Sequence, residues 1–184
     1  MISKPEKIVK RIIKAVGVGQ SVLVIGEWQE DLIKGIKEKQ NALSFTEDGL
    51  EKLPFEDNTF TRIVTDYSLC DGRSLLQQAS TAPNTFFYNE ARRLLLPTGM
   101  IIISANCEDG IFDKIFNLFK REHIKEEGLK KIKPKILQNQ IHDHDFLIDG
   151  YYGYPGGHLL MMAQIINKEV TTLFNTEKQE TLIK

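Results

Sequence analysis

Four groups of residues carry side chains able to do chemistry. The first is Asp66-Tyr67, just past Phe60, Ile63 and Val64. That apolar run is of the kind that forms a buried parallel strand. In an open α/β sheet, ligands sit at the carboxyl ends of the strands, so a carboxylate and a phenol there are well placed to meet a substrate. The second is His158, which closes a stretch rich in tyrosine and glycine, Gly150–Gly157. Three tyrosines and a histidine beside a sheet rim would line an acceptor pocket or cap a hairpin, and residue types leave the two readings even. An unperturbed histidine titrates near neutral pH, which suits a general base. The third is His142-Asp143-His144-Asp145. In an extended segment both histidines would share one face, but zinc takes three or four protein ligands and no other cluster supplies them. This stretch therefore reads as the turn before a strand, and no metal site is expected. The fourth is the pair Cys70 and Cys107, which lack metal-ligand spacing and read as free thiols.

The elements that would position these groups follow from hydrophobic spacing. Ile8, Val9, Ile12, Ile13 and Val16 form one face of a helix. Ser3 and Glu6 have capping-box spacing, Pro5 tolerates the first turn, and Gly17 ends the helix. Ser21–Ile25 is the first buried strand, followed by Gly26 and a short helix with Leu32, Ile33 and Ile36 inward. Asn41–Phe45 is a second strand, and Phe60–Val64 lies in the central one. A helix over Phe86–Leu96 is stopped by Pro97-Thr98-Gly99 and leads to a strand over Met100–Ser104. Ile111–Lys131 is a long helical stretch whose aromatic face reads as core. Lys130–Lys135 is a basic, solvated run ending in a linker. Strands over Phe146–Tyr151 and Leu159–Ile166 complete the series. Residues 1–168 make one α/β domain and 169–184 a polar tail.

Composition narrows the function classes. Hydrophobic residues at 41% and charged residues at 27% are ordinary for a soluble globular chain. A net charge of −1 gives no whole-protein field favouring nucleic acid or an anionic membrane. There is no apolar run near the ~20 residues a membrane helix needs, and the amino terminus lacks the apolar core of a signal peptide. The expectation is a cytoplasmic protein.

Leu53–Leu69, LPFEDNTFTRIVTDYSL, resembles the middle of the class I S-adenosylmethionine (SAM)-dependent methyltransferases, above all the small ubiquinone/menaquinone-type group. There an "LPF-acidic-D-x-S/T-F" loop leads into a fourth strand. Asn89–Met100 resembles the same family's "E-x-x-R-V-L-K-P-G-G" helix end and turn, in the same order. Ser21–Gly26 is similar to its first strand, "V-L-D-I-G-C-G-T-G". The resemblance implies a single doubly wound, Rossmann-like, mainly parallel sheet with an antiparallel last strand, SAM as cofactor, and a small-molecule or protein acceptor. It implies that Gly26, Glu27, Trp28 and Asp48 border the cofactor, with Asp66 and Tyr67 near the methyl; His158 is a candidate base by residue type alone.

The chain also departs from that pattern. Glu27-Trp28-Gln29 replaces the later glycines, and Trp28 should crowd the methionine end of the cofactor. Gly49 stands where an adenine-contacting acid is expected, with Asp48 one position away. Only about 30 positions separate Val22 from Leu53, and one βαβ unit already takes about 30. One βα unit of the family is therefore expected to be missing, shortening the first half. These departures support an alternative: a non-catalytic domain that has lost SAM binding and serves as a protein-binding module or enzyme subunit.

Overall fold

The structure, a computed structural model, describes residues 4–40, 42–46, 52–67, 85–107, 131–154 and 157–166. The elements in chain order are α1 (Glu6–Val16), β1 (Ser21–Ile25), α2 (Glu30–Lys37), β2 (Ala42–Thr46), β3 (Phe60–Asp66), α3 (Thr85–Leu94), β4 (Leu95–Cys107), β5 (Lys131–Ile132), α4 (Pro134–Asp143), β6 (Phe146–Tyr154) and β7 (His158–Ile165). The strands form one sheet in the order β2-β1-β3-β4-β7-β6, with β5 also paired to β4. β2, β1, β3, β4 and β5 pair in parallel. β7 runs antiparallel to both β4 and β6. The expected mainly parallel sheet with an antiparallel last strand is thus the observed one, and Val22–Val24 lies beside Arg62–Val64.

Alternation of apolar side chains along the strands divides the core in two. Val22, Val24, Val64, Met100, Ile102, Leu160 and Met162 face one way, against α1 and α2. Leu23, Ile25, Ile63, Ile101, Ile103, Leu159 and Met161 face the other, against α3 and α4. Strands buried on both faces need continuous apolar runs, and the runs at 22–25 and 100–103 supply them. On α1, Ile8, Val9, Ile12 and Val16 are buried as their spacing predicts. α1 begins at Glu6 with Pro5 as its N-cap and no side-chain cap. Gly35 of α2 lies close against Ile13: a Cβ there would sit 2.3 Å from the Ile13 methyl. Between β1 and Leu53 the described residues contain one strand, β2, in keeping with a missing βα unit.

Three boundaries differ from expectation. β4 starts at Leu95, inside the predicted helix, because Phe60 pairs with Leu95 before a register shift leads to Arg62 opposite Met100. The segment read as a linker and turn contains β5 and α4, with Pro134 in the first turn of the helix and Leu137 and Ile141 buried. His142 therefore lies in a helix and His144 is its C-cap, not in an extended segment. The remaining expectations for Cys70, most of Ile111–Lys131 and the tail fall outside the described residues.

The two stretches that carry the family resemblance meet in space. Glu90 accepts the Leu53 backbone N–H at 2.8 Å. Arg93 donates to both Glu90 oxygens, to the Phe55 carbonyl at 2.8 Å and to the Leu53 carbonyl at 3.1 Å. Phe55 then meets Phe60 edge-on, with ring centroids 5.1 Å apart. The E-x-x-R pair thus clamps the LPF loop onto α3 and aims β3 into the sheet.

Candidate active site

The carboxyl rim on the α1 side of the sheet gathers polar groups into an otherwise apolar layer. Asp66 ends β3 directly opposite Ser104 of β4. Two residues along β4, Asn106 pairs with His158, the first residue of β7. Because β7 is antiparallel, its beginning arrives where the parallel strands end. β5 occupies the edge of β4 just beyond β3, pairing Lys131 with Asn106.

The side chains at this rim form a connected network. Ser104 Oγ donates to Asp66 Oδ2 at 2.5 Å. Lys4 Nζ lies 2.9 Å from the same oxygen, both side chains being almost wholly buried at 1% and 3% exposure. The same ammonium donates to Asn106 Oδ1 at 3.1 Å. His158 Nδ1 stands 2.9 Å from that oxygen. The Lys4 backbone N–H donates to Gln29 Oε1, which ties the stretch before α1 to the loop after β1. A charge taken out of water is tolerated only when paired and hydrogen-bonded, and here each charge has both. Asn106 is 7% exposed, and His158 is only half-buried. The network is therefore closed at its Lys4–Asp66 end and reaches solvent at His158.

The predicted site residues are placed as follows. Gly26 follows β1 at φ +98°, a left-handed conformation that suits glycine and leaves its backbone approachable. Glu27 is exposed at the same rim. Trp28 is 5% exposed and packs in the apolar layer beneath α1. Its indole N–H donates to the Ile25 carbonyl at 2.9 Å. Tyr67 is buried on the opposite side of the sheet, in the α3 layer. Asp48 lies outside the described residues. The structure thus brings Asp66 and His158 into one network, while the Tyr67 ring packs in the layer on the other face of the sheet.

Lys4, Ser104 and Asn106 were not among the predicted residues. Ser104 and Asn106 had a signal: two polar residues at a spacing of two inside an apolar strand define a polar stripe on one face. Lys4, ahead of its helix, had none. His144 is stacked on Tyr88 with centroids 4.7 Å apart, and burial pushes its imidazole below the ordinary value of 6.5. No group of three or more candidate metal ligands occurs among the described residues. Burial drives the Cys107 thiol up to about 11, keeping it protonated.

The chain has the Rossmann-like fold of the class I SAM-dependent methyltransferases, and solved structures bear this out. It is similar to a 1,6-didemethyltoxoflavin-N1-methyltransferase of Burkholderia thailandensis, solved with 1,6-didemethyltoxoflavin and S-adenosylhomocysteine. The two share 15% identity over 88% of this chain and 78% of that one, with a TM-score of 0.60. A SAM-dependent methyltransferase of Methanosarcina mazei matches at 15% identity over 85% of this chain and 98% of that one, with a TM-score of 0.53. The [4+2]-cyclase SpnF matches at 11% identity over 86% and 80%, with a TM-score of 0.54. No family model and no curated protein sequence matches the chain. At these identities the likeness is one of fold, and the cyclase shows that this fold hosts more than one reaction.

Proposed function

We propose that the chain binds SAM and transfers its methyl group to a small-molecule or protein acceptor. The observation that carries this reading is the polar rim at the carboxyl ends of β3 and β4, where Lys4, Asp66, Ser104, Asn106 and His158 form one network that reaches solvent at His158. Gly26, with its positive φ, supports close backbone approach at that rim. SAM presents an ammonium and a sulfonium, and Glu27, exposed next to Gly26, is the acidic group that suits their charge. The burial of Trp28 beneath α1 supports a role as the floor of the site. When bound, SAM supplies an electrophilic methyl group on a positively charged sulfur. The residues around it then act mainly by holding the acceptor in line and keeping water away.

Calorimetric titration with SAM and with S-adenosylhomocysteine tests the reading. Binding in the micromolar range is expected. Replacing Glu27→Gln removes the exposed acidic contact. That variant should bind roughly tenfold more weakly, the equivalent of one charge-assisted hydrogen bond. No heat and no thermal shift at millimolar ligand would overturn the reading, leaving a non-catalytic domain of the same fold.

A further inference from the structure

Asn106 Oδ1 stands between two groups of different kinds, the ammonium of Lys4 at 3.1 Å and a ring nitrogen of His158 at 2.9 Å. The chemistry of the first decides the second. A lysine ammonium has donors only, so the amide atom facing it has to be the oxygen. That fixes the orientation of an amide whose two ends are otherwise easily interchanged. The same oxygen faces His158 Nδ1, so Nδ1 has to carry a proton; two lone pairs at that distance would repel. A neutral imidazole protonated on Nδ1 carries its lone pair on Nε2. The Lys4 ammonium is held in turn by Asp66, which Ser104 also orients.

We propose that Lys4, acting through the Asn106 amide, sets His158 in the Nδ1–H form, so that Nε2 accepts a proton from the methyl acceptor. The acceptor is then a protic nucleophile, a hydroxyl or an amine, rather than a thioether or a carboxylate. Its O–H or N–H bond breaks, and the electron pair stays on the oxygen or nitrogen as the nucleophile. The proton joins the Nε2 lone pair and leaves an imidazolium. Lys4 and Asp66 cancel one another's charge, so no net positive charge opposes that imidazolium. Lys4 and Asn106 are positioning residues, and His158 is the group that meets the acceptor. This base role rests on the methyl-transfer reading, whereas the tautomer does not.

Nitrogen-15 NMR of the histidine rings tests the arrangement in the ligand-free protein, above the pH at which the ring titrates. The His158 signals are identified by their loss in His158→Gln, one of four histidines in the chain. The wild type should show Nδ1 protonated and Nε2 unprotonated. In Lys4→Met with Asp66→Asn, the amide is released to turn over, and the Nε2–H form, which an isolated imidazole prefers, should become the main one. A wild type carrying the proton on Nε2 overturns the proposal. So does a variant whose tautomer is unchanged. If the variant fails to fold, the wild-type spectrum still decides. No SAM enters the measurement, so loss of the methyl-transfer reading would register separately, in the calorimeter.

Discussion

Replacing Arg93→Met should destabilise the fold by about 3 kcal/mol, because it strips a largely buried carboxylate of its partner. The magnitude follows from the contacts of the guanidinium. Its bond to Asp57 at 2.6 Å joins a side chain 67% exposed, and exposed pairs contribute about 0.5 kcal/mol or less. Glu90 has a side chain only 9% exposed and would keep just the Leu53 N–H among its hydrogen bonds. Breaking a buried pair from one side costs about 3–5 kcal/mol. Arg93 is itself 20% exposed, which argues for the lower end. For a domain of this size that means a fall in Tm of about 6–12 °C. The assay is urea and thermal unfolding, with Asp57→Ala as the control expected to cost no more than about 0.5 kcal/mol. The pH dependence gives a second check. The hydrogen bond from Arg93 holds the Glu90 carboxyl below its ordinary 4.5, against the opposing effect of burial. Such a group stabilises the fold above 4.5 and loses that contribution as pH falls through its folded value. The gap between wild type and Arg93→Met should therefore narrow on acidification from pH 6 to 3. A loss below about 1 kcal/mol, or a gap constant with pH, would refute the clamp.

Three further outcomes are expected. Trp28→Ala should cost about 3–5 kcal/mol as a cavity beneath α1, and Trp28→Phe about 1 kcal/mol for the lost hydrogen bond to Ile25. As the single tryptophan, Trp28 should emit at short wavelength in the native state and shift red on unfolding. Cys107, with its thiol raised to about 11 by burial, should resist a thiol reagent at pH 8 in a Cys70→Ser background until urea unfolds the chain. His144 is held below 6.5 chiefly by burial, with Asp143 and Asp145 raising it and Arg92 lowering it. It therefore supports the fold above pH 6.5 and penalises it as the solution is acidified. His144→Phe, keeping a ring on Tyr88, should lose less stability between pH 7 and 5 than the wild type.

Much of the sheet was legible because both faces of each central strand are buried. Runs such as Val22–Ile25 and Ile101–Ile103 leave little choice of structure, and the LPF and E-x-x-R stretches fix their order. α4 was missed because its apolar face has only two deeply buried residues, Leu137 and Ile141, set behind a basic run. The early start of β4 was hidden because Leu95 satisfies a helix pattern as well as a strand pairing, and contact with Phe60 decides it. At the candidate site, position and residue type single out Asp66 and His158, which the structure links through Lys4 and Asn106. They do not single out the ammonium, since a lysine before an amphipathic helix looks like any solvated cation. Only packing places Lys4 beside Asp66.

The antiparallel seating of β7 has a consequence for how the protein comes into being. Ser104 lies 38 positions from Asp66, His158 lies 52 from Asn106, and Asn106 lies 102 from Lys4. Contacts between residues so far apart along the chain are slow to form, because the intervening loops must be closed first. During synthesis, the helix that follows Lys4 and the first strand leave the ribosome long before His158 exists. Until then Asn106 has no histidine to orient. The rim is therefore completed late, when β7 slots in beside β4. A nascent chain stopped short of that strand should have much of its parallel sheet and leave Asn106 without its histidine.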